Sequence, residues 1–106
     1  MKTKLISETI GTLFLLLIVV GSGIMGENLT ENKGIVLLAN SIATAFGLMV
    51  LIWTFGPYSG AHFNPVVSIV MMLLGKLTKQ DMFFYVLCQL IGGVLGVIFA
   101  NMIFDL

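Results

Sequence analysis

The stretch Ser59-Gly60-Ala61-His62-Phe63-Asn64-Pro65-Val66-Val67-Ser68 interrupts a chain that is otherwise mostly Leu, Ile, Val, Phe and Gly. Asn is a favoured N-cap residue, and Pro fits the first helical position, where a missing N–H costs no intrahelical bond. Asn64-Pro65 therefore starts a helix. Gly75-Lys76 ends it, with a terminal glycine and a cation where the helix dipole favours one. The apolar segment 65–75 is about 11 residues, roughly 16 Å if helical. That covers half of a ~30 Å hydrocarbon core, which marks a buried or re-entrant helix and not a span. Ahead of it, residues 56–64 carry Gly56, Pro57 and Gly60 and read as an extended loop dipping into the membrane. Irregular backbone at that depth is tolerated only where protein buries it or a wet cavity runs beside it. The stretch asks for a pore or a polar pocket.

Outward from this point the chain reads as membrane protein. Of its 106 residues 58% are hydrophobic and 9% charged, and the mean hydropathy is +1.12, far from the balance of a soluble domain. Three stretches, about 5–25, 34–55 and 81–104, are long enough to span. Gly26 to Gly34 is polar and reads as an exposed loop; its Asn28-Leu29-Thr30 fits a glycosylation pattern that means little by itself. The first segment also has the outline of a signal peptide, with Lys2 and Lys4 ahead of an apolar run and Gly21-Ser22-Gly23 as a cleavage zone. However, the apolar pattern runs on to Met25 and Glu8 is out of place in a leader, so the segment is taken as a retained helix. The net charge of zero, with no arginine, gives no sign of a nucleic-acid partner. Cys88 stands alone in an apolar run and reads as a small core residue.

The lysines give an orientation. With a cytoplasmic N-terminus, Lys2, Lys4, Lys76 and Lys79 lie inside and Lys33 lies outside with Glu27 and Glu31. The re-entrant loop then enters from the cytoplasmic face and the chain emerges outside near Asp105. A helix that starts at the midplane places about half a positive charge there. Two such half-helices meeting end to end from opposite leaflets would cross the bilayer, an inverted-repeat arrangement found in transport proteins. This chain supplies one copy, since Asn-Pro occurs once.

These residues resemble a known family. SGAHFNPVVS resembles the first Asn-Pro-Ala loop of the aquaporins, or major intrinsic proteins. SETIGTLFLLLIVVGSG is similar to that family's first helix, and YVLCQLIGGVLG, Tyr85 to Gly96, to its third. The resemblance covers the whole chain, 1–106, as a single N-terminal half. It implies an all-α membrane fold: half of a right-handed bundle, with three transmembrane helices and one re-entrant half-helix. It further implies a passive channel unit for water or small neutral solutes such as glycerol, in the plasma membrane, with no enzyme activity, metal or cofactor. A second half would complete the pore, either a separate chain, an inverted copy or a missing C-terminal half, and such pores form oligomers. The lysine bias argues against the inverted copy. A truncated, non-conducting membrane protein or assembly subunit is the alternative.

By position, the resemblance implies that Asn64 donates a hydrogen bond to a permeant oxygen at the midplane. The carbonyls of Gly60, Ala61, His62 and Phe63 form a ladder of acceptors, and Glu8 and Gln89 hold the loop backbone. A permeant that sheds its hydration needs such replacement partners. The motif Asn64-Pro65-Val66 departs from the family, which usually has Ala at the third position, and adds bulk where two half-helices meet. The family's filter arginine comes from the other half. Counting back from the loop puts the second helix's filter residue at Thr44, with Phe46 close by. A threonine there implies a wider filter.

Other readings of single residues remain simple. Alone, His62 reads as a structural histidine with no second His or Cys for a metal. Glu8, near a helix end, has a solvated interfacial carboxylate as its lesser alternative reading. Gly92, Gly93 and Gly96 form a small-residue face suited to close helix packing. An intramembrane enzyme would need a nucleophile, a base and an orienting acid. Ser59 and His62 are three apart, but no acid is near them in the sequence.

Overall fold

The computed structural model describes residues 1–104; the chain end at Asp105, expected at the outer face, lies outside the described residues. Four helices follow one another: α1 (Lys2–Leu29), α2 (Lys33–Ser59), α3 (Pro65–Leu73) and α4 (Lys79–Ile103). Helices α1, α2 and α4 are long and apolar enough to cross a bilayer. The nine residues of α3 are not. The described residues contain no strand, and the fold is the all-α half-bundle expected from the sequence.

Helix ends differ from expectation for local reasons. The polar connection expected over Gly26 to Gly34 shrinks to Thr30–Asn32. Helix α1 runs on because buried Gly26 packs its last turns on α2, where a Cβ would meet Val36 Cγ1 at 3.2 Å. Asn32 then caps α2 by accepting from Ile35 N–H at 3.1 Å. At its far end α2 does not stop at Phe55 but continues through Gly56 and Pro57 to Ser59. A proline in the last turn removes one intrahelical donor only. Gly60 N–H closes the turn on Gly56 O at 2.9 Å, and Gly60 itself turns the chain out at φ 86. The irregular loop is therefore Gly60–Asn64, shorter than 56–64. Helix α3 ends at Leu73, two residues early. Lys76 N–H returns to Met71 O and Gly75 N–H to Met72 O, with Gly75 at φ 77. This is the Schellman arrangement that glycine makes cheap.

Helix α1 is the centre, packed on α4 along one side and α2 along the other, while α3 rests on α4. The α1–α4 seam is close because Gly92 and Gly96 are buried against the carbonyls of Thr9 and Leu13, where any Cβ would collide. Ala100, fully buried, continues the same row. The small-residue face read from the sequence is thus a helix–helix contact. The α1–α2 contact is held by Ile18 over Gly47 and by Asn40, whose Nδ2 donates to Val19 O at 2.6 Å and to Ser22 Oγ at 3.0 Å. Elsewhere the surface is large and apolar, Trp53, Leu29 and Leu73 included. Apolar exposure on that scale belongs in lipid.

Candidate functional site

The site forms where α1, α4 and the α2–α3 loop meet. Glu8 is completely buried, and its two oxygens take four donors. Oε2 accepts from Ser59 Oγ at 2.6 Å and from His62 N–H at 3.2 Å. Oε1 accepts from Phe63 N–H at 2.9 Å and from Gln89 Nε2 at 2.8 Å. A carboxylate taken out of water is tolerable only when its lone pairs are filled in this way. Glu8 is therefore not an interfacial carboxylate but the acceptor around which the loop is folded.

A second ring of bonds fixes the rest. Gln89 Nε2 also donates to Ser68 Oγ at 2.9 Å. Ser68 Oγ lies 2.9 Å from His62 Nδ1. The Ser68 hydroxyl, with one proton and two lone pairs, thus joins Gln89 to the His62 ring. The His62 ring stacks at a tilt on Tyr85, centroids 5.0 Å apart, and Tyr85 Oη donates to Ser59 O at 2.8 Å. The Phe63 ring, 3% exposed, is sunk against Gly11 and meets Phe55 edge-on at 6.1 Å. Ala61 and Phe63 sit at φ 55 and φ 53, a left-handed conformation costing roughly 1–2 kcal/mol per residue without glycine. The bonds to Glu8 hold that strain in place.

The consequence lies in what remains unpaired. The N–H groups of Gly60, Ala61, His62 and Phe63 are all used inside the protein, on Gly56 O, Ser59 Oγ and Glu8. Among the described residues no protein donor meets the carbonyls of these four residues. Asn64 caps α3 by accepting Val66 N–H on Oδ1 at 2.8 Å, which leaves its Nδ2 free to donate outward. Its side chain is exposed. The arrangement is a row of acceptors ending at one donor and the start of a half-helix.

Of the residues singled out in the sequence, Gly60, Ala61, His62, Phe63, Asn64, Glu8 and Gln89 come together here. Thr44 does not join them: it lies on α2 between Asn40 and Gly47, its hydroxyl buried without a partner. Val66 is 66% exposed at the tip of α3. Ser68 and Tyr85 are site residues that the sequence reading misses, and Ser59, weighed there only as a nucleophile, serves as a donor to Glu8; a lone serine four residues after Asn64 in an apolar helix is the one local hint. The expectation that Ser59 and His62 lack an acid is also corrected, because Glu8 of α1 bonds Ser59. Yet His62 Nδ1 meets the hydroxyl of Ser68 and not that of Ser59, so the Ser59–His62 pairing does not form. Below Asn64 and Pro65, between α1 and α4, runs an apolar groove of about 540 Å³.

Residues 1–105 match the family model described as Major intrinsic protein. Over 103 residues the chain is 47% identical to aquaglyceroporin AqpS of Rhizobium meliloti (strain 1021), covering 97% of this chain and 44% of that protein. It is 34% identical over 103 residues to aquaporin NIP1-2 of Arabidopsis thaliana, covering 97% of this chain and 34% of that one. A probable NIP-type aquaporin of Nicotiana alata is 36% identical over 104 residues, with 96% and 37% covered. The chain spans less than half the length of these curated relatives.

Proposed function

The chain belongs to the major intrinsic protein family, an integral membrane family of channels and not of enzymes, and from that premise we propose that it is one half of a passive pore for water or small neutral solutes. The observation that carries this reading is the loop: four consecutive carbonyls free of protein donors, leading to the free Nδ2 of Asn64. A neutral molecule that leaves its hydration shell can exchange partners along that row, while the positive end of α3 repels cations. Phe63 contributes its carbonyl alone, since its ring is buried.

One half-helix reaches only to the midplane, so the pore needs a second half. The relative names include an aquaglyceroporin and aquaporins, which supports a permeant range from water to glycerol-like solutes. Thr44 in place of an aromatic side chain favours the wider end of that range. In this reading the lysine distribution puts the N-terminus in the cytoplasm, and the membrane is the plasma membrane. The second reading, an inserted subunit that conducts nothing alone, draws on the single half-helix and the open groove beside it.

Stopped-flow light scattering on proteoliposomes tests the proposal, with the chain alone and with a complementary family half. The expected result is rapid osmotic shrinkage with both halves, abolished by Asn64→Asp, which replaces the free donor with an acceptor. Shrinkage equal to empty vesicles in every combination sinks the channel reading.

A further inference from the structure

The turn Thr30–Asn32 joins two helix ends whose charged residues run against their dipoles. A helix carries about half a positive charge at its start and half a negative charge at its end, so acids suit the start and bases the end. Here Glu27 lies in the last turn of α1, which holds no basic residue. Lys33 opens α2, whose first turn holds no acid. Both side chains are exposed, and both border one cavity of about 310 Å³, closed by Gly23, Val36, Leu37 and Asn40. Asn40 commits its Nδ2 to Val19 O and Ser22 Oγ of α1, which leaves Oδ1 as its free acceptor. We propose that this cavity holds the headgroup of a phosphatidylethanolamine lipid, with the ammonium on Glu27 and Asn40 Oδ1 and the phosphate on Lys33. The site is independent of the channel reading.

The placement of the charges selects a zwitterion. The negative end of α1 and the Glu27 carboxylate together call for a cation, and the positive end of α2 and the Lys33 ammonium together call for an anion. A ligand that carries both, a short distance apart, satisfies the two helix ends at once. A space of this size holds on the order of ten waters, enough for a phosphoethanolamine group. Its height fits a lipid. The span expected from the sequence ends near Met25, so Glu27 stands about 3 Å further along the axis. The headgroup layer reaches roughly 5–7 Å past the hydrocarbon on each side. From the cavity wall at Leu37 an exposed apolar surface continues down α2 through Leu38 and Ile42, where acyl chains can lie. A choline headgroup brings no N–H and gives Asn40 Oδ1 nothing to accept. A glycerol headgroup supplies the phosphate but no cation for Glu27.

The probe is dioleoyl phosphatidylethanolamine, added to the purified chain in detergent and counted by native mass spectrometry against choline and glycerol lipids with the same chains. Wild type is expected to hold the ethanolamine lipid about tenfold more tightly than either, the worth of a hydrogen-bonded cation. Glu27→Gln and Lys33→Gln are each expected to weaken it about fivefold. Glu31→Gln removes an acid from the same turn but outside the cavity, and should keep the wild-type affinity. Equal affinity for ethanolamine and choline lipids overturns the proposal. So does binding that ignores Glu27→Gln or Lys33→Gln, or a loss in Glu31→Gln equal to that in Glu27→Gln, which would reduce the effect to surface charge. Water-soluble phosphoethanolamine at the same concentration is expected not to compete; displacement of the lipid by it would overturn the lipid as occupant.

Discussion

The α1–α4 seam has two stretches that share the same helices but differ in completeness. Where the loop and α3 lie against it, every polar group that enters the seam is matched: Glu8 takes four donors, and Ser59, Ser68 and Tyr85 are paired. Beyond Asn64 the apolar walls stand open, and Thr12 Oγ1 and Gln89 Oε1 are buried without a hydrogen-bond partner. Gln89 straddles the boundary, its nitrogen satisfied on one side and its oxygen orphaned on the other. The glycine packing does not change across that boundary, with Gly92 and Gly96 both tight on α1. What differs is the supply of a half-helix, not the quality of the seam.

If that contrast is right, damage on the complete stretch should be far more costly than equal changes on the open one. Glu8→Leu should have the largest effect. It strips acceptors from two backbone amides, a serine hydroxyl and a glutamine amide at once. Unpaired buried donors cost about 1–3 kcal/mol each, so a net loss on the order of 4 kcal/mol is expected after partial rearrangement. Unfolding in mixed micelles by sodium dodecyl sulfate reads this directly. A loss under about 1 kcal/mol would mean that the loop holds its shape without the carboxylate, and the contrast would collapse.

Neighbouring glycines offer a sharper version. Gly92→Ala drives a methyl into Thr9 O and must part the helices, an overpacking cost of about 1–3 kcal/mol. Gly93→Ala, one residue on, meets only ordinary contacts and should stay within about 0.5 kcal/mol of wild type. The same micelle titration separates them. Equal costs would show that the groove side of α4 is as tightly packed as the face it turns to α1.

How far the sequence announces this site depends on the distance over which each part is decided. Asn64-Pro65 and Gly75-Lys76 speak through local rules of capping, and the helix between them behaves accordingly. The spacing of Gly92 and Gly96 likewise predicts a close face without saying which helix it meets. The bonds that Glu8 accepts join residues 51 to 81 positions apart, as with Ser59 and Gln89. No local pattern encodes those pairings, and Glu8 and Gln89 were reached through family resemblance alone. Pro57 was misleading for the opposite reason. Its local preference to end a helix gives way to the bonds on Ser59 and Gly60 that carry α2 two residues further. The left-handed Ala61 and Phe63 cannot be read from the sequence at all, because their strain is held by Glu8 across the fold.

The α1–α2 contact provides the baseline for both stretches. Asn40 lies mid-helix at a half-buried position and spends both amide hydrogens on α1, on Val19 O and Ser22 Oγ. It resembles the Glu8 hub in crossing between helices, but it carries no charge, holds no loop and meets a carbonyl within a helix. Hydrogen bonds between membrane helices average about 0.6 kcal/mol, because the separated helices find other partners. Asn40→Leu should therefore cost about that much, and less than either change on the complete stretch. The side chain is similar in size, so Gly23 and Val36 around it need little adjustment. A much larger loss in the micelle titration would mean that α2 is anchored by polar contact as firmly as the loop is. The loop would then owe its order to α2 as much as to Glu8, and the ranking of the two stretches would have to be rebuilt around Asn40.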